Sequence, residues 1–176
     1  MLQARLRYTL AAGGMAFFTL IITLVTGTLE IFYYNPTPTE APLSIQTISF
    51  HIPFGGLIRG LHYWAAQLLV CFAALHLFRV VFTGAYSSPR RLNYWIGMGL
   101  FLLVIFLNFT GYALRWDEGI RWALVAGTNL LKTIPIAGQW VYALAVGGGE
   151  LGPASLIRFY AWHCFGLILP AALLAG

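Results

Sequence analysis

The chain has 176 residues, of which 60% are hydrophobic and only 9% charged, and its mean hydropathy is +0.79. A soluble domain is about 25% charged, so these residues cannot make a water-facing surface, and the composition is that of an integral membrane protein. The net charge of +5 comes from basic residues scattered singly between apolar runs, which excludes a nucleic-acid patch. Cys71 and Cys164 lie inside apolar runs without a C-x-x-C pairing, so neither a disulfide scaffold nor a thiolate metal site is indicated.

A transmembrane helix needs about 20 mostly apolar residues. Four segments meet this, roughly 8–31, 60–83, 94–114 and 155–176. They predict an all-α, four-helix membrane bundle formed as one domain over 1–176. The first segment follows Arg5 and Arg7 but is longer than the roughly 7–15 residues of a signal core, so it is read as a retained helix. In the first connection, Tyr33 to Gly56, four prolines bracket a short surface helix over Leu43 to Phe50. The second, Gly84 to Asn93, is a short turn containing Pro89. The third, Arg115 to Pro153, is too long for a plain loop; its apolar stretches Trp122 to Leu131 and Ile136 to Val146 are expected to lie flat on the outer surface.

Charge sets the orientation. Arg5, Arg7, Arg79, Arg90 and Arg91 gather on one side without an acid, while Arg59, Arg115, Arg121, Lys132 and Arg158 balance all five acids on the other. Lys and Arg split evenly, so the positive-inside count alone does not decide. Arg90 and Arg91 in a short loop, with two arginines ahead of the first span, favour both termini on the cytoplasmic side.

His62 and His76 lie fourteen residues apart in the second span. That is roughly 21 Å of rise and just under four turns, so both imidazoles leave one helix face. Ionisable residues inside a span are costly and point to function; the alternative is two histidines that merely hydrogen-bond to neighbouring helices. Gly13 and Gly27 repeat the spacing in the first span, as do Gly97 and Gly111 in the third. Glycine in membrane helices often serves close packing, but two pairs at the histidine spacing offer notches for a flat macrocycle at each histidine level. His163, in the fourth span, sits at the depth of His62, and facing helices of a bundle supply haem ligands. Two histidine ligands leave no open position on the iron, which indicates electron transfer. Arg59 and Arg79, one turn beyond His62 and His76, suit macrocycle carboxylates, the alternative being arginines that snorkel to the interface. His51 is set apart from the second span by Pro53, Gly55 and Gly56 and is read as interfacial. A second inner ligand would fall at about position 177 or 178, so three ligands are present for two proposed irons.

The chain resembles the cytochrome b family in its short, four-helix, b6-like form. The resemblance rests on Phe32-Tyr33-Tyr34-Asn35-Pro36, Thr39-Glu40-Ala41, Gly56-Leu57-Ile58-Arg59 before His62, and His76-Leu77-Phe78-Arg79-Val80. It continues through Thr83-Gly84, Pro89-Arg90, Gly111-Tyr112-Ala113-Leu114, Trp116-Asp117, Trp122-Ala123, Ile134-Pro135 and Arg158-Phe159-Tyr160. The resemblance implies two b haems stacked across the membrane. His62 and His163 would hold the outer one against Gly27 and Gly111, and His76 the inner one against Gly13 and Gly97. It also implies quinol as substrate, an iron–sulfur protein, a c-type cytochrome and a second membrane subunit as partners, and a dimeric complex of a respiratory or photosynthetic chain. Such a chain is an electron-transfer subunit, not catalytic alone. Where plant-type relatives attach a further haem through cysteine, this sequence has Ala11, so that covalent haem is not expected. Where the family has Leu-Pro-Trp, Arg115 takes the proline position; Tyr112, Arg115, Trp116 and Asp117 are the candidates for the quinone pocket wall. Two other readings stay open: a haem-b membrane anchor of another quinone-linked oxidoreductase, and a haem-free structural subunit.

Overall fold

The computed structural model describes residues 11–166 and 168. Among them the order is α1 (Ala12–Ile31), α2 (Glu40–Phe50), α3 (Gly55–Phe82), α4 (Arg91–Ala113), α5 (Glu118–Lys132), α6 (Gly138–Val146) and α7 (Pro153–Ala161), followed by one π turn, Trp162–Gly166. There is no strand among the described residues. α1, α3 and α4 are long and apolar enough to cross a membrane. Their outward faces carry large apolar side chains, Phe17, Phe18, Trp64, Phe78 and Phe106 among them, as lipid as a solvent permits. The fourth predicted span, 155–176, begins as α7; beyond Gly166 it lies outside the described residues, apart from Ile168.

Local chemistry moves several element boundaries. The second span starts at Gly55, not Gly60, so Gly55 and Gly56 belong to the helix and do not separate it from His51. A side chain at either would run into the backbone carbonyls of Ile48 and Ser49. The two glycines are therefore what lets α3 begin pressed against α2. α2 itself starts at Glu40, three residues before Leu43, because Pro42 falls in its first turn, where the missing N–H costs nothing. α5 runs from Glu118 to Lys132, longer than the apolar stretch, because Asp117 caps it. The Asp117 Oδ1 accepts from the Ile120 N–H at 2.9 Å, and Glu118 and Lys132 suit the two ends of the helix dipole. α6 begins at Gly138, two residues later than Ile136. The Lys132 Nζ sits 3.9 Å from the centre of the Tyr142 ring and holds the α5–α6 hairpin together.

A buried cluster forms where α2, α4, α5 and α7 meet. Ala41, Ala113, Trp116, Leu124, Leu156 and Phe159 make it up, with Tyr34 and Phe109 against it. The Tyr34 hydroxyl donates to the Leu114 carbonyl at 2.7 Å. Burial holds that phenol above its ordinary titration range, so it remains a donor. The corner after α4 is closed by an ion pair between Arg115 Nη2 and Asp117 Oδ2. Asp117 thus faces two ways, capping α5 and anchoring Arg115.

Asp117→Ala removes the cap and leaves Arg115 unpaired. It is expected to cost about 1 kcal/mol, read as a lower midpoint of thermal unfolding in detergent, while Asp117→Asn keeps most of the capping contribution.

Candidate metal centre

The fourteen-residue periodicities of α1 and α3 come into register in space. α1 packs along α3 so that Gly27 faces His62 and Gly13 faces His76, and α4 brings Gly111 against His163 on the π turn. A Cβ at Gly27 would lie 2.8 Å from His62 Cε1, one at Gly111 2.9 Å from His163 Cε1, and one at Gly13 3.0 Å from His76 Cε1. The notches expected to clear a macrocycle thus receive the imidazoles themselves. The reason is steric order: a ring on one helix reaches an acceptor in the next helix only where that helix has no side chain. Gly97 has no described atom within 4 Å of such a Cβ.

The two outer cradles are built alike. His62 Nδ1 lies 3.1 Å from the Thr23 carbonyl and 3.1 Å from Thr26 Oγ1. His163 Nδ1 lies 3.0 Å from the Leu107 carbonyl and 3.1 Å from Thr110 Oγ1. In each cradle the carbonyl belongs to the residue four before the glycine and the hydroxyl to the residue just before it. The threonine protons are already committed, Thr26 donating to the Ile22 carbonyl at 2.6 Å and Thr110 to the Phe106 carbonyl at 2.9 Å. Around each Nδ1 there are consequently only acceptors. Such surroundings favour the tautomer with the proton on Nδ1, which leaves the Nε2 lone pair for a metal.

The spacing of the rings fits one iron between them. Their centroids are 6.3 Å apart and their planes 76° apart. Two imidazoles that held one metal through bonds of about 2.0 Å would have ring centres about 6 Å apart. No group of three or more His, Cys, Asp and Glu side chains gathers among the described residues. The donor set is two neutral nitrogens, which suits a metal whose other ligands come from a macrocycle.

Around this pair the remaining candidates divide. Arg59 lines a polar groove of about 460 Å³ together with Gln46, Tyr63, Arg115 and Asp117. Arg79 lies one turn beyond His76. The described residues contain one ion pair, Arg115–Asp117, so neither Arg59 nor Arg79 is paired there. Glu30, in the last turn of α1, has Oε1 buried without a hydrogen-bond partner and is near enough to Arg59 for their charges to interact. Tyr112 lines a separate, mostly apolar cavity of about 470 Å³ with Gln67, Asn108, Phe109, Ile120 and Leu124. Its hydroxyl meets that of Tyr63 at 3.3 Å. Trp116, at 7% exposure, is packed into the buried cluster and lines neither space. The four residues grouped by sequence as one wall therefore fall in three places. Ala11 stands at the N-terminal cap of α1. Thr26, Thr110 and Tyr63 were missed from sequence; the repeated Thr-Gly pair, Thr26-Gly27 and Thr110-Gly111, was the available signal.

The profile of the family described as Cytochrome b/b6/petB matches residues 1–175. The chain belongs to the cytochrome b family. Among its relatives, cytochrome b6 of Cyanidium caldarium is 42% identical over 159 residues, covering 90% of this chain and 73% of that protein. Cytochrome b6 of Heliobacterium modesticaldum is 39% identical over 159 residues, with 90% and 74% covered. Euglena gracilis cytochrome b6 is 39% identical over 165 residues, with 93% and 77% covered. A chain of a solved hyperthermophilic respiratory Complex III superposes with a TM-score of 0.86 at 26% identity, over 94% of this chain. This cytochrome b chain spans only 45% of that longer one.

The cradle geometry makes glycine size a sharp test. Gly111→Ala is expected to displace His163 and remove most outer-site haem absorbance from the purified protein. Gly99→Ala, with no described atom within 4 Å of the added carbon, should retain it.

Proposed function

We propose that this chain is the dihaem cytochrome b subunit of a quinol-oxidising complex of the bc or b6f type, carrying electrons across an energy-transducing membrane. The observation that carries the reading is the His62–His163 pair, with both Nδ1 atoms tied to acceptors and ring centres 6.3 Å apart. When bound there, haem supplies one-electron redox chemistry at an iron closed to other ligands. His62 and His163 would hold it, Gly27 and Gly111 give their rings room, and Arg59 would supply a cation nearby. His76 against Gly13 would hold one face of an inner haem, with Arg79 one turn further.

The apolar cavity at Tyr112 suits the ring of a quinol, being mostly apolar with Asn108 and Gln67 as its polar groups. Arg115 lines the neighbouring groove and is paired with Asp117. With both termini on the cytoplasmic side, the outer pair lies toward the electropositive face. An electron moving inward then works against about 2.3 kcal/mol per 100 mV. Residues 1–176 act as one domain within a dimeric assembly surrounded by lipid, whose partners are a second membrane subunit, an iron–sulfur protein and a c-type cytochrome.

A reduced-minus-oxidised pyridine haemochrome spectrum on the assembled complex, normalised to this chain, should give two b haems. His163→Ala should lower that to one, and His76→Ala should remove the other. A colourless complex, or an unchanged haem content in His163→Ala, contradicts the reading.

A further inference from the structure

Thr26 and Thr110 occupy equivalent places in two cradles contributed by different helices. Each precedes the glycine that admits the histidine, each donates its own proton back to its helix, and each accepts from the histidine Nδ1–H alongside a backbone carbonyl. We propose that these two hydroxyls are positioning residues for the outer metal site, fixing the rotation of both ligand imidazoles and strengthening them as donors. The proposal rests on the haem reading above.

The argument is one of acceptor number. A ligand imidazole whose other nitrogen donates to an acceptor is held in one tautomer and becomes a more basic ligand. Here each Nδ1–H meets two acceptors, one carbonyl and one hydroxyl, at 3.0–3.1 Å. Two acceptors that differ in direction also restrict the swing of the ring about its Cβ–Cγ bond, and so support the 76° between the planes. A more basic ligand favours the oxidised, more positive iron and lowers its midpoint potential. The inner level lacks the device. Ala12 and Ile96 precede Gly13 and Gly97, where the outer level has Thr26 and Thr110 fourteen residues on. The hydroxyls thus distinguish two haem levels that share the same glycine and histidine spacing.

The test is a redox titration of the assembled complex, followed optically and by electron paramagnetic resonance of the oxidised haems. Thr26→Val and Thr110→Val keep the side-chain shape and remove the hydroxyl; Thr26→Ser and Thr110→Ser keep the hydroxyl and remove a methyl group. Each Val variant is expected to raise the midpoint potential of the outer haem and shift its low-field resonance, leaving the inner haem unchanged. Each Ser variant should keep the wild-type values. Loss of the outer haem in Val with retention in Ser supports the same conclusion. Val variants with unaltered potential and resonance, or Val and Ser variants altered alike, overturn it. Wild-type complex without haem overturns the underlying reading instead, and haem content is measured first so that the two failures are told apart.

Discussion

The arrangement depends on close approach of backbone to imidazole. A histidine in a membrane helix is costly unless its polar atoms are satisfied, and no water is at hand inside the bilayer to do so. Its Nδ1–H must therefore reach an acceptor in the neighbouring helix. The acceptors are carbonyls already engaged in that helix, accessible only where the side chain one turn on is absent. Gly27 and Gly111 provide that access. Once Nδ1–H is bound, the free Nε2 follows without further contrivance, and the separation of the helices sets how far apart the two rings stand.

Much of this was legible in the sequence because it is periodic. Apolar runs of spanning length located α1, α3 and α4, and the spacing of fourteen matched two glycine pairs to a histidine pair. What the glycines touch was not legible. A period gives the face of a helix but not which neighbour enters the notch, and the rings of His62, His76 and His163 enter it. The threonines escaped because hydroxyls inside apolar helices ordinarily return to their own backbone; here they do so and accept a second bond as well. Boundaries shifted where one residue type had two meanings. Gly55 and Gly56 read as a break, yet they start α3 against α2, and Trp116 read as a pocket wall, yet its apolar surface completes a buried cluster.

Electrostatics divides the outer end of the molecule into two unlike spaces. The groove at Arg59 carries two guanidinium groups and the Asp117 carboxylate, whereas the cavity at Tyr112 is lined mostly by apolar side chains. The Tyr63–Tyr112 hydroxyl contact joins them. Glu30, with a buried oxygen lacking a partner, brings a carboxylate to the level of Arg59. These features make the His62 level the more polar and chemically differentiated of the two histidine levels in α3.

The central claim is that His62 and His163 hold one iron between them through Nε2. A density map of the assembled complex at a resolution that separates the ring nitrogens tests it most directly. The account predicts a flat macrocycle between the two rings, iron bonded to both Nε2 atoms, and each Nδ1 within hydrogen-bond distance of its carbonyl and threonine. A macrocycle held elsewhere, or rings turned so that Nδ1 faces the iron, would contradict it.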